Sequence, residues 1–288
     1  AQYAIARDRV QAEGFDAARH FVVVTDPAEG PLRAIAARDG IAAFDVPPSV
    51  GGRFSVFTPV GTLPAALAGY DVPAFVAGAR ALRDRTGTAT LAENPAGLVG
   101  ALLWRAHQRA GQNTHVLMPY ADALRDLGPW FVQLWAESLG KVDADGMPTG
   151  PTPLAARGAT DQHSLLQLLM QGPADKVVVF VRVASHPRDL VIPAAADVPE
   201  VAAFLRGRTM GEVLDAEADA TARALVSAGR PSMTITVDAA EARAMGELMM
   251  LLMMATIYAG ALYRVDPLGQ PGVELGKRLA RETLRDAR

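Results

Sequence analysis

Short β-branched runs alternate with helical segments along almost the whole chain, and this alternation limits the fold more than any other feature. HFVVVTDP (20–27) is closed by Asp-Pro and reads as a buried strand. GPLRAIAARDG follows as a helix ending at Gly40, and IAAFDVP is a second short strand. A strand–helix–strand unit of this kind builds a parallel sheet.

The pattern continues downstream. The stretch from FSVF to ALRDR is mostly helical with breaks at prolines, and NPAGLVGALLWRAHQRA is a helix ended by GQNT. HVLMPYA is a strand and ALRDLGPWFVQLWAESLGK a helix. Residues 145–160, rich in Gly, Pro and Thr, read as a loop before the short helix DQHSLLQLLMQG. KVVVFVRVA and SMTITVD are strands. The expected class is therefore α/β, without internal repeats and with its boundary near 45–55.

LMMLLMMATIYAGAL (248–262) is the most apolar run. It is shorter than the roughly 18–20 residues of a bilayer span, so it reads as a core helix with methionines filling gaps. The net charge of -3 favours neither nucleic acid nor an anionic membrane. Without cysteine the chain forms no disulfide or thiolate metal site, and a reducing cytoplasm is its natural home. AQYAIARDRVQAEG has a helical look with no signal layout. It reads as a chain cut from something longer, although removal of Met before Ala also gives this start.

Several stretches carry candidate chemistry. In PSVGGRFSVFTPVG, Arg53 follows two glycines: either a tight turn with an exposed cation, or a cation placed for a ligand. WFVQLWAESLGK puts Gln133 and Glu137 on one helix face. Among Phe131, Leu134, Trp135 and Leu139 a carboxylate loses water and its pKa rises toward proton transfer. The plainer alternative is a surface Glu137 paired with Lys141. His163 sits at a loop-to-helix junction that Asp161 or Thr160 could cap. His20, His107, His115 and His186 have no suggestive setting and no metal-ligand spacing. Gln270 and Lys277 lie about two helical turns apart, and Glu274 with Lys277 could form a simple surface pair. The chain has no P-loop, no dinucleotide fingerprint and no nucleophile elbow.

Together these pieces resemble the glucose-6-phosphate isomerase (phosphoglucose isomerase) family. VGGRFS, QLWAESLGK, GATDQHSLLQLLMQG and GQPGVELGK look like its four motif segments, in order, and VTDP and GPTPLAARG are similar to weaker ones. The resemblance implies a three-layer sugar-isomerase (SIS-type) domain with a mostly parallel sheet flanked by helices at 48–288. Before it, residues 1–47 would be the tail of a first such domain.

It also implies an aldose–ketose isomerase of glycolysis and gluconeogenesis, interconverting glucose 6-phosphate and fructose 6-phosphate through a cis-enediol(ate) without cofactor or metal. Glu137 would be the base, Arg53 would stabilise the enediolate, and His163 and Lys277 would assist ring opening. Gln133 and Gln270 would line the pocket, and Gly52 would let the backbone approach the sugar. A homodimer is implied, with His163 reaching the neighbouring active site and no nucleic-acid or membrane partner. Leu268-Gly269 replaces the family's usual aromatic and Asp or Asn before Gln270. The family's phosphate loops would lie before Ala1, so the 288-residue chain alone is expected to be at most weakly active. The alternative is a non-catalytic sugar-phosphate-binding regulatory module.

Overall fold

The structure, a computed structural model, describes residues 1–286 apart from Ala196, and leaves out the side chains of Glu274, Arg285 and Asp286. It divides into two compact units, Ala1–Pro73 and Ala74–Arg288. This division falls later than the 47/48 boundary expected from the sequence.

In the first unit, α1 (Gln2–Ala12) and α2 (Ala17–His20) lead into β1 (Val22–Thr25), α3 (Pro31–Asp39) and β2 (Ala42–Asp45). The two strands pair in parallel from Val22↔Ala42 to Thr25↔Asp45, as the strand–helix–strand pattern requires. Gly40, at φ 66°, ends α3 in the left-handed region that glycine tolerates. The expected burial of these strands is only partial. Val23, Ala36 and Ile41 form a small core with Tyr3, Phe21 and Ile35, while Val22 and Phe44 are exposed. Two strands covered by α3 and a few residues of α1 such as Tyr3 have too few neighbours to bury both faces.

Gly-Gly-Arg is not an open turn: Gly52–Phe57 is a 3₁₀ helix running into α4 (Pro59–Leu67). These two pack closely, since a Cβ on Gly61 would fall 2.1 Å from the Val56 carbonyl oxygen. The Arg53 segment thus belongs with the unit before it.

The second unit contains α5 (Val72–Arg85, starting at the boundary), α6 (Pro95–Ala110), β3 (Thr114–Pro119) and α7 (Leu127–Leu139). Next come β4 (Lys141–Val142), β5 (Pro148–Thr149), β6 (Thr152–Ala155), α8 (Gln162–Gln171) and β7 (Lys176–Val183). The last elements are α9 (Met210–Ser227), β8 (Ser232–Val237), α10 (Ala242–Tyr263) and α11 (Glu274–Asp286). The central sheet is fully parallel, in the order β6-β3-β7-β8. Residues 145–160 are therefore not simply a loop. They hold the β5 half of a small antiparallel hairpin and the edge strand β6. Pro153 is tolerated in β6 because the strand lies at the edge.

Alternation along β3 and β7 explains the layers. Val116, Met118, Tyr120, Val178 and Phe180 face one way and pack with Leu169 of α8 and Ala218 and Leu225 of α9. His115 faces the other way and meets Trp135 of α7. Helices cover both faces of the sheet, which is the three-layer α/β arrangement. α10, 22 residues long, would be long and apolar enough to cross a membrane by length and composition. It exceeds the apolar run because polar-flanked residues at both ends join the helix. Leu248, Leu251, Leu252, Ala255 and Ala259 are buried along it, and it packs against α6 and α7. Gly78 and Gly246 let α5 and α10 touch at backbone distance: a Cβ on either would lie 2.0 or 1.9 Å from the facing carbonyl oxygen.

Candidate active site

α7 carries the first pair of candidates. Its inner face is apolar, with Phe131, Leu134, Trp135 and Leu139 fully buried, so positions offset from that face stay accessible. Gln133 is exposed and Glu137 half-buried. They meet as their spacing predicts, the Gln133 amide Nε2 donating to Glu137 Oε1 at 3.2 Å. A carboxylate oxygen oriented by a neutral donor keeps lone pairs for accepting a proton.

Packing fixes where along the sheet each candidate lies. A Cβ on Gly128, at the start of α7, would sit 3.0 Å from Ala155 Cβ at the end of β6. At the other end of α7, Gly150 lies against the Leu139 carbonyl just before β6 begins. α7 thus runs from the C-terminal edge of the sheet to its N-terminal edge. Glu137, ten residues along from Leu127, is displaced by about 15 Å toward the N-terminal edge.

His163 lies at the opposite edge. It is exposed in the first turn of α8, directly after the turn that follows β6. That turn is held tightly: Gly158 lies so close to Tyr120 that a Cβ would come within 2.4 Å of the ring. Gln162 Nε2 donates to the Tyr120 hydroxyl (2.7 Å) and to Thr221 Oγ1 (2.9 Å). Neither Asp161 nor Thr160 caps α8 as expected. The Asp161 carboxylate instead accepts from the Arg157 backbone N–H at 2.8 Å and from Ser164 Oγ at 2.8 Å. Glu137 and His163 therefore sit at opposite edges and on helices covering opposite faces, and one chain does not bring them together.

Gln270 and Lys277 are exposed, Gln270 before the 3₁₀ turn Pro271–Val273 and Lys277 near the start of α11. The expected Glu274–Lys277 pair involves a side chain outside the described residues. In the first unit Arg53 is buried, only 4% exposed, so the exposed-cation alternative is overturned. Its guanidinium lies 5.4 Å from the centre of the Phe54 ring, and Ser55 Oγ donates to the Gly52 carbonyl at 2.6 Å. A buried guanidinium is costly unless several groups meet its donors. The space over Gly52 is open, with nothing within 4 Å of where a Cβ would stand.

A family profile described as phosphoglucose isomerase matches residues 6–288. The chain belongs to the phosphoglucose isomerase family. A glucose-6-phosphate isomerase from Rubrobacter xylanophilus is 52% identical over 258 residues, which are 90% of this chain and 58% of that protein. One from Thermus thermophilus is 45% identical over 271 residues, 94% of this chain and 64% of that protein. The chain thus spans about three fifths of the length of these relatives. A crystal structure of a hypothetical protein from Thermus thermophilus superposes with a TM-score of 0.93 at 43% identity, covering 98% of this chain and 67% of that one. A glucose-6-phosphate isomerase from Chlamydia trachomatis shares the fold, with a TM-score of 0.86 at 24% identity, covering 99% and 56%.

Two features of the chain have no signal in the sequence motifs. The first is a polar cluster behind α7. Trp135 Nε1 donates to Nδ1 of the fully buried His115 at 3.1 Å, so His115 carries its proton on Nε2, which has no partner among the described residues. Burial, reinforced by nearby His107, pulls the His115 pKa down to about 3. His107 Nδ1 and the Tyr263 hydroxyl lie 2.8 Å apart. Burial lowers the pKa of His107 and raises that of Tyr263. A single histidine before a strand gave no sign of this. The second is Lys141, whose ammonium donates to the carbonyl oxygens of Asp266 and Gly269. Its place in QLWAESLGK carries no sign of these bonds.

Proposed function

We propose that this chain carries the proton-transfer residues of an enzyme that interconverts glucose 6-phosphate and fructose 6-phosphate. Glu137 removes the C2 proton of the open-chain aldose, and the C1 oxygen takes up the charge as a cis-enediolate. Passage of the O2 hydroxyl proton to O1 and return of the proton to C1 give the ketose, so the overall step is isomerisation with no net gain or loss of protons. Arg53 stabilises the enediolate charge, His163 and Lys277 assist ring opening, Gln133 and Gln270 line the pocket, and open space over Gly52 admits the sugar. The same reading assigns residues 1–47 to the end of one sugar-isomerase-type domain and 48–288 to a second with C-terminal helices.

The observation that carries this reading is the Gln133–Glu137 pair. A half-buried carboxylate is oriented by an amide on a helix whose other side is locked into the core. The test is Glu137→Gln in the full-length protein. Proton transfer requires a rate loss of several orders of magnitude with sugar phosphate still bound. An unchanged rate would leave a regulatory sugar-phosphate-binding module as the better reading.

The separation of Glu137 and His163 supports the second part of the proposal, a homodimer in which His163 serves the neighbour's site. A full-length enzyme that sediments as a strict monomer at full activity would remove that part.

A further inference from the structure

We infer that Lys141 is a positioning residue that sets Gln270, and through the adjoining turn Lys277, against the helix bearing Glu137. The inference rests on the isomerase reading for its catalytic meaning, and on geometry for the link itself.

The base of Lys141 is fixed. It follows α7 directly and pairs with Thr149 in the β4–β5 hairpin. Gly150, beyond that hairpin, is pressed against the Leu139 carbonyl, so the hairpin is clasped to the end of α7. From this base the half-buried side chain reaches the loop after α10, over 120 residues away in sequence. Its ammonium donates to the Gly269 carbonyl oxygen at 2.5 Å and to that of Asp266. The Asp266 carboxylate accepts from the N–H groups of Leu268 (2.9 Å) and Gly269 (3.2 Å). The backbone between Asp266 and Gly269 is thereby curled into a turn whose carbonyls converge on one cation. Gln270 is the next residue. Arg264, in the left-handed region at φ 60°, ends α10 and pairs with Asp145 of the same hairpin, a second tie between the two segments.

The arrangement explains what a lysine does at this point. A compact cation with three donors can hold two carbonyls at once. Gln270 and Lys277 are exposed residues on a surface segment, and the Lys141 bonds tie the turn just before that segment to the end of the Glu137 helix. A pocket assembled from such parts loses rate steeply when one part drifts by an ångström.

The test compares Lys141→Met, which keeps the length and removes the donors, with Lys141→Arg, which keeps the charge. Amide hydrogen exchange is followed by mass spectrometry across 265–270, and steady-state isomerase kinetics are measured, all in the full-length protein. Lys141→Met is expected to speed exchange in this segment about tenfold while β7 stays protected. It is also expected to lower kcat/KM by about ten- to a hundredfold. Lys141→Arg recovers part of both. Unchanged exchange in Lys141→Met overturns the link whatever the enzyme does. Faster exchange with unchanged kcat/KM overturns the positioning role. A wild-type protein without isomerase activity sinks the functional reading and the catalytic meaning of the link, whereas the exchange result still decides whether the link exists.

Discussion

Acid should weaken the second unit through His115. The imidazole is fully buried, and its folded pKa of about 3 lies well below the ordinary 6.5. The folded state therefore binds fewer protons than the unfolded chain between these values. The stabilisation from His115 is complete above about 6.5 and is lost as pH falls toward 3. At pH 5.0, roughly 1.5 units below the unfolded value, the loss is about 2 kcal/mol. With a urea dependence of about 3 kcal/mol/M for a unit of this size, the midpoint drops by about 0.7 M.

Burial also lowers the pKa of His107, so it adds in the same direction. Asp175 and Asp189, held low by hydrogen bonds, contribute mainly at more acid pH. The comparison that isolates His115 is His115→Gln, whose side-chain oxygen can still accept from Trp135 Nε1 but does not titrate. Trp104, Trp130 and Trp135 all lie in Ala74–Arg288, so tryptophan fluorescence follows that unit alone. Between pH 7.5 and 5.0 the wild-type midpoint should fall about 0.7 M further than that of the variant. Equal falls would refute a neutral, buried His115.

Two other substitutions test close backbone contacts. Gly246→Ala gains about 0.5–1 kcal/mol of helix propensity, but its Cβ would lie 1.9 Å from the Phe75 carbonyl oxygen, which cannot swing aside. Overpacking costs about 1–3 kcal/mol, so calorimetry should show a lower Tm for the variant, and a Tm at or above wild type would refute the contact. Gly158→Ala pushes the turn before α8 away from the Tyr120 ring, 2.4 Å from the added methyl group, and displaces His163. Isomerase activity of the full-length protein should fall tenfold or more, and full activity in the folded variant would show that the turn does not set His163.

The parts of the fold legible in the sequence were those written locally. Val22–Thr25, Lys176–Val183 and Ser232–Val237 are strands because their runs are β-branched and bounded by turn residues, and Asn94 and Gly111 delimit α6 as cap residues do. β6 was missed because Thr-Pro-Leu-Ala lacks strand propensity. It is a strand because β3 offers it an open edge. The division of the structure after Pro73 was not legible for a similar reason, since the Gly61–Val56 contact that binds α4 to the Arg53 helix has no signal in periodicity. His115 shows the same limit from the other side. Its burial, tautomer and acid sensitivity come from Trp135, twenty residues away, and from His107 on another helix.

For the candidate site the gap is topological. Glu137 and His163 are near neighbours in sequence, separated by one helix end, a small hairpin and one edge strand. In a parallel sheet, though, a crossover helix must return the chain to the edge where the next strand begins. A residue near the end of α7 and one at the start of α8 are therefore placed at opposite edges by the connection itself. No loop conformation compatible with β3 and β6 pairing in parallel removes that separation. If both residues serve one reaction, one copy does not bring them together, and the proposed dimer would supply the meeting that the direction of α7 denies to a single chain. An active monomer would then mean that one of the two residues has no part in the chemistry.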